Sequence, residues 1–303
     1  MERDWQFWSR RIIWLLLATA TALFIVVRVK AVMYVSKPAR SLYQAMEKVP
    51  PDKIIVLSCN WEAGTRGENG PQTEALVRHC FKRGKRFAIF GWNFPPGPLL
   101  AEQIARRVAP EYGRCYGRDW VNWGFKTGQA NMIRAWAKNI PGVIKEDMFH
   151  TPLARIPAMR GVKTIHDVGL IVDIAPADTL STYVRFIYGI YRTPLGHACT
   201  GVMAPESFPY LDAGQIVGLL KGLAGAAEYE KLVGYEGDAL KRMPAQSSAH
   251  MLMIALIILG NVLYFRARRR GPSTHSAGSG QAGSGPSRAA SRDGETPRRR
   301  LSA

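Results

Sequence analysis

Hydrophobic positions along this chain fall into two regimes. Two long runs, residues 12–27 and 249–265, carry no charged side chain, whereas between them apolar residues come in short bursts separated by polar stretches. A helix that crosses a bilayer needs about 20 predominantly apolar residues. The first run reaches that length if it continues through Ala31, Val32, Met33, Tyr34 and Val35, with Arg28 and Lys30 snorkelling toward the headgroups. Trp5, Trp8 and Trp14 suit the membrane interface near its start. No clean A-x-A site follows, which favours a retained anchor over a cleaved signal peptide. The second run is followed at once by Arg266, Arg268, Arg269 and Arg270, a stop-transfer signal. The pattern therefore predicts a globular domain over 36–247 between transmembrane helices 12–35 and 248–265. A short cytoplasmic segment 1–11 precedes them, and a basic, Gly/Ser-rich, disordered tail 266–303 follows.

Inside the domain the bursts alternate between two periods. Arg40 to Val49 reads as a short helix stopped by Pro50 and Pro51. Ile54 to Leu57 is a continuous aliphatic run of the kind that forms a strand buried on both faces. The polar loop from Asn60 to Gly70 comes next, and Pro71 sits where a helix Gln72 to Lys82 would begin, ending at Gly84 behind Lys82 and Arg83. Phe87 to Phe90 reads as a second strand and Leu99 to Val108 as a second helix. Regularity weakens between Tyr112 and Gly128, and Thr127 would cap a helix reaching Asn139. Val168 to Ile174 is a strand, Leu180 to Tyr191 a helix, and Ala198 to Ala204 the last core strand. Strands alternating with helices imply a doubly wound, mostly parallel α/β sheet flanked by N- and C-terminal transmembrane helices.

After that strand, Asp212 and Gln215 have the layout of a capping box, predicting a helix to Leu232. Gly214, Gly218 and Gly222 would line one face of it every four residues. Such a stripe lets helices approach closely, within the domain or through self-association.

Charge changes the picture in one respect. A net charge of +18 is the balance expected of a nucleic-acid binder. Much of it, however, flanks the apolar runs, including nine arginines in the tail against Asp293 and Glu295, so the lipid bilayer is the simpler partner and nucleic acid is not expected. Two spans put both termini on one side, and the dense C-terminal arginine cluster assigns that side to the cytoplasm of an inner membrane, with the domain extracytoplasmic. Arg28, Lys30, Lys37 and Arg40 argue the other way. Cys59, Cys80, Cys115 and Cys199 lack metal-ligand spacing and fit isolated thiols better than a disulfide framework, although bridges stay open. Neither a metal nor a cofactor is expected.

Pro209-Tyr210-Leu211-Asp212-Ala213-Gly214-Gln215, Gly218-Leu219-Leu220-Lys221-Gly222, Gly225-Ala226-Ala227-Glu228-Tyr229-Glu230, then Gln246-Ser247 and His250 before Gly260-Asn261, together with Tyr116-Gly117-Arg118-Asp119-Trp120-Val121-Asn122, make a recognisable set. In these segments the chain resembles a family of uncharacterised bacterial and archaeal membrane proteins, a likeness covering most of it apart from the tail. The resemblance implies a prokaryotic membrane location and carries no known reaction or cofactor.

Chemistry in an open parallel sheet gathers beyond the carboxyl ends of the strands. Those ends hold Asn60, Trp61, Glu62, Arg66 and Glu68, then Trp92 and Asn93, then Asp173, Asp178 and Thr179, then Glu206 and Ser207. From these, Asn60, Trp61, Arg66, Trp92, Asn93, Asp178 and Glu206 are candidate ligand-binding residues, and Glu62, Glu68 and Asp173 candidate acids or bases. Gly64-x-x-Gly67-x-x-Gly70 is neither a dinucleotide fingerprint nor a P-loop. His197 with Cys199, alternating on one strand, and His166-Asp167 fit ordinary packing as well as they fit a base or a thiol nucleophile. The expectation is an anchored domain that binds a small ligand or a partner membrane protein in an envelope assembly. A membrane-tethered hydrolase or transferase working through the carboxylates, and a purely structural scaffold, are the alternatives.

Overall fold

The computed structural model describes residues 11–19, 22–23 and 33–269. Residues 11–19 are helical, but residues 20–21 and 24–32 of the expected first span and nearly all of the tail lie outside the described residues. From Lys37 the elements run α1 (Lys37–Lys48), β1 (Ile54–Cys59), α2 (Arg66–Arg83), β2 (Phe87–Gly91), α3 (Pro96–Val108), β3 (Trp120–Phe125), α4 (Gln129–Lys138), β4 (Val168–Ala175), α5 (180–191), β5 (Leu195–Cys199), α6 (Ala204–Asp212), β6 (Gly218–Lys221), α7 (Gly222–Val233) and α8 (Asp238–Arg269).

All six strands are parallel and stand in the order β3-β2-β1-β4-β5-β6. β1, the aliphatic run Ile54 to Leu57 extended to Cys59, is buried throughout. Its alternate side chains feed two cores. Ile54 and Val56 face one that is closed by α4, α5 and α6, with Trp136, Tyr183 and Ile187 among its buried residues. Ile55, Leu57 and Cys59 face the other, closed by α1, α2, α3 and α7, where Leu42, Phe81, Ile104 and Tyr229 pack. Crossovers toward β3 and toward β6 thus leave on opposite faces of the sheet, as right-handed connections require once strand order reverses.

Three expectations are corrected. Pro71 lies inside α2, which starts at Arg66 rather than Gln72. The missing N–H forfeits only the bond to Gly67, while Thr73 Oγ1 donates to the Asn69 carbonyl at 2.7 Å and long-range bonds from Gln72 hold the early turns. Between Tyr112 and Gly128 lies the edge strand β3, whose Asn122 and Gly124 broke the apolar run; Gly128 rather than Thr127 precedes α4.

The third concerns the glycines Gly214, Gly218 and Gly222, which do not share a helix. Asp212 ends α6, Gly214 turns the chain at φ +67°, Gly218 opens β6, and Gly222 at φ +57° starts α7. The four-residue spacing therefore reports three separate demands for absent side chains. At Gly218 a Cβ would stand 2.5 Å from the Leu42 amide nitrogen and 2.6 Å from the Pro38 carbonyl, so glycine lets α1 lie directly on β6. The last core strand is accordingly β6, and β5 begins and ends earlier than residues 198–204.

α7 fastens both ends of the domain. Glu228 accepts bonds from the amide and hydroxyl of Ser36, and Lys231 Nζ reaches the Met33 carbonyl at 2.7 Å. On the same helix Glu230, 1 % exposed, accepts from the amides of Ala239 and Leu240 at 3.0 and 2.8 Å. A small core joins Leu223, Ala226, Ala227 and Ala239 to Met33, Leu240 and Met243. The helix so capped, α8, includes the stretch Asp238–Arg266, 29 residues with hydropathy 1.9, long and apolar enough to span a membrane.

Candidate functional site

In this strand order the topological switch point falls between β1 and β4, whose following connections diverge onto opposite faces. The side chains there come from strands that are otherwise aliphatic. Ser58 is registered with Asp173, and Asp173 with His197. The three form a polar row across the face covered by α5, and none is more than 3 % exposed.

The row is tied into one network. Asn60 Nδ2 donates to Ser58 Oγ at 2.8 Å and to Asp173 Oδ1 at 3.1 Å, while Asn60 Oδ1 accepts from the amides of Trp92 and Asn93 at 2.9 and 3.1 Å. A single amide side chain thereby joins the ends of β1, β2 and β4 and uses its full hydrogen-bonding capacity. Thr179 Oγ1 donates to the second oxygen of Asp173 at 2.5 Å. Ser58 Oγ and Tyr183 OH share a bond of 2.7 Å, and Trp92 Nε1 donates to the same phenol at 3.0 Å. Tyr183 stands one residue before a π-helical turn, Val184–Tyr188, that offsets the rest of α5.

His197 Nδ1 lies 3.0 Å from the Asp173 carbonyl and 3.4 Å from its carboxylate. Burial opposes a charge on this imidazole. Hydrogen bonds to Asp173 and Cys199 and the nearby negative charge outweigh it, pushing the pKa up to about 10. The geometry therefore favours a protonated imidazole paired with Asp173.

Above this floor the other candidates separate by exposure. Glu62, Arg66, Asn93, Asp178 and Glu206 are exposed in the connections following β1, β2, β4 and β5. Trp61 and Trp92 are buried and belong to the cores. Asp178 accepts from the amide and hydroxyl of Ser181 and so opens α5. Glu68 is half-buried and accepts from the Gly201 amide at 2.7 Å, while Gln72 Nε2 donates to the carbonyls of Cys199 and Gly222 at 2.8 and 3.0 Å. These two staple the start of α2 to the ends of β5 and β6.

Two features of this edge have no use within the fold. Gly64 and Gly67 do not have positive φ, and a Cβ on either would meet nothing within 4 Å. Neither packing nor backbone conformation therefore requires glycine at these two positions. Asn69 Oδ1 and Thr200 Oγ1 are buried with no hydrogen-bond partner.

Other residues singled out in the sequence have structural places. Asp167 completes a capping box with Thr164. His79 sits between Tyr229 OH and Glu47, and burial lowers its pKa to about 4. All four cysteines are free thiols, with Cys115 alone exposed. Among the described residues no three His, Cys, Asp or Glu side chains could together hold a metal ion. Sequence reasoning missed Ser58 and Tyr183; its available signal was a hydroxyl ending an aliphatic strand and an aromatic residue three places into the next crossover helix. No family model, curated protein or solved structure matches the chain.

Proposed function

We propose that this chain is a membrane-anchored α/β domain that binds a small polar ligand in the crevice between the connections that follow β1 and β4. The observation that carries this reading is the rigid floor at the switch point, where Asn60, Asp173 and Thr179 lock the strand ends while the side chains of Glu62, Arg66 and Asn93 stay exposed at the rim beside Asp178, which caps α5. Such a floor fixes the positions of loops that would contact a ligand, and preorganisation of that kind favours affinity. The unfilled space at Gly64 and Gly67 and the unpartnered oxygens of Asn69 and Thr200 support the same edge. Asp173, with both carboxylate oxygens engaged, suits a positioning role better than acid–base chemistry.

The test uses the full chain in phosphatidylcholine nanodiscs and a thermal-shift panel of nucleotides, sugar phosphates and free amino acids. At least one compound is expected to raise the melting temperature of the wild type. The same compound should have less than a third of that effect on Arg66→Ala/Asn93→Ala, whose unliganded stability should be nearly unchanged because both residues are exposed. Equal shifts in the two proteins, or none from any compound, would overturn the reading.

The domain is further proposed to face outward from the inner membrane, with both termini cytoplasmic. Cys115 is the exposed thiol that can report this, since Cys59, Cys80 and Cys199 are buried. A membrane-impermeant maleimide is expected to label intact cells, and Cys115→Ser should abolish the signal. Labelling that appears only after lysis would place the domain in the cytoplasm.

A further inference from the structure

At the opposite, amino-terminal edge of the sheet lies an open cavity of about 600 Å³ into which three arginines converge. Arg86 immediately precedes β2, Arg118 lies just before β3, and Arg160 belongs to the long connection leading to β4. Asp52 and Asp167 share the lining.

The charges do not cancel. Arg86 is half-buried, and its guanidinium donates to the carbonyls of Ala158, Arg160 and Asp52 at 3.1, 3.0 and 2.6 Å. These neutral acceptors hold the group in place without neutralising it, and among the described residues it forms no ion pair. Arg118 shares Asp119 with Arg114. Arg160 makes no ion pair among the described residues. The Asp167 carboxylate is turned into its own capping box, accepting from the amides of Lys163 and Thr164 at 2.8 Å each. Those amides hold the Asp167 carboxylate without cancelling its charge, so among the described residues of the lining three guanidinium groups face the two carboxylates of Asp52 and Asp167 and an excess of positive charge remains.

We propose that this cavity binds a phosphate-bearing anion. A guanidinium presents a planar fork matched to phosphate oxygens, and two or more converging forks hold one phosphoryl group from several sides. The volume exceeds that of a single phosphate and lies in the range of small-ligand sites, leaving room for an attached organic group. Fixing Arg86 through main-chain carbonyls removes part of the ordering entropy that binding would otherwise cost. The phosphate could belong to a soluble compound or to a phospholipid headgroup, and the chemistry of recognition is the same. This site is at the other end of the strands from the proposed crevice, and neither depends on the other.

Inorganic pyrophosphate, titrated by calorimetry into the full chain in phosphatidylcholine nanodiscs, is the direct probe. Arg118→Ala/Arg160→Ala removes two of the three charges and spares the Arg86 staple. Lys126→Ala/Lys138→Ala removes the same charge elsewhere. Saturable binding that weakens at least tenfold in the arginine pair and less than twofold in the lysine pair is expected for a soluble ligand. If pyrophosphate does not bind, but phosphatidylglycerol in the disc raises the melting temperature of the wild type and the lysine pair and not of the arginine pair, the anion is a headgroup. Equal effects in both pairs, or no response to either anion, would overturn the proposal.

Discussion

Asp173→Ala is expected to destabilise the domain by about 3–5 kcal/mol, the range seen when one member of a buried ion pair is removed. The substitution strands His197, Thr179 and Asn60 Nδ2 in a site where none of the three residues is more than 3 % exposed. Asp173→Asn is the sharper probe because it keeps volume and one acceptor. Without the carboxylate, burial dominates and the His197 pKa should fall from about 10 to below its ordinary 6.5. In the wild type the folded-state pKa lies above the unfolded value. The stability it contributes is fully present below pH 6.5 and is lost as pH rises through about 10. Urea midpoints between pH 6 and pH 10 should therefore slope downward in the wild type and lose much of that slope in Asp173→Asn. An unchanged slope would mean that His197 is neutral in the folded domain. The pair should also couple, with Asp173→Asn/His197→Gln less destabilised than the sum of the single changes.

The second large effect concerns Glu230. Its burial is the main cause that pushes its pKa up to about 7, against the two amide bonds from Leu240 and Ala239 that pull it down, with Glu74 and Asp238 adding repulsion. The folded chain then holds a proton that the unfolded chain has released. The stability contribution is full below pH 4.5 and is lost as pH rises through about 7, a change on the order of 3 kcal/mol. Glu230→Gln should be less stable than the wild type at pH 5, by about 1 kcal/mol for one weakened cap bond, and more stable at pH 8. Glu230→Ala leaves two amides unpaired and should be destabilising at both. Thermal unfolding of the full chain at the two pH values reads the crossover. Comparing variant with wild type cancels the opposing acid contribution of His79, whose lowered pKa removes stability as pH falls from 6.5 to about 4. No crossover would mean that Glu230 stays ionised in the folded protein.

The parts of this fold legible in the sequence are those where one physical demand dominates. β1, β2 and β4 are buried on nearly all positions, and only aliphatic and aromatic residues satisfy that, so Ile54 to Leu57, Phe87 to Phe90 and Val168 to Ile174 stand out. The edge strands answer to several demands at once. β3 spends Asn122 on the carbonyl of Pro98 and on Glu102, and β6 spends Gly218 on the close approach of α1, which removes the hydrophobic pattern from both.

The candidate site divides in the same way. A carboxylate at the end of an aliphatic strand, such as Asp173, is visible as an exception to its surroundings. Its partners are not, because Tyr183 meets Ser58 across 125 residues and His197 meets Asp173 through sheet register. Glu230 was hidden by its setting, an apolar helix with two buried acids, of which Glu228 holds the segment before α1 and Glu230 serves the helix that follows.

The fastening of both ends of the domain on α7 has a mechanical consequence. Ser36 enters and Ala239 leaves beside the same helix, so the body of the domain forms a closed loop whose two ends meet. A pulling force on those ends would be borne first by the contacts of α7 with residues 33–36 and 239–243, before any strand is peeled from the sheet. The same proximity makes the body a natural substrate for circular permutation, with the old ends joined by a short linker and new ones opened in an exposed connection.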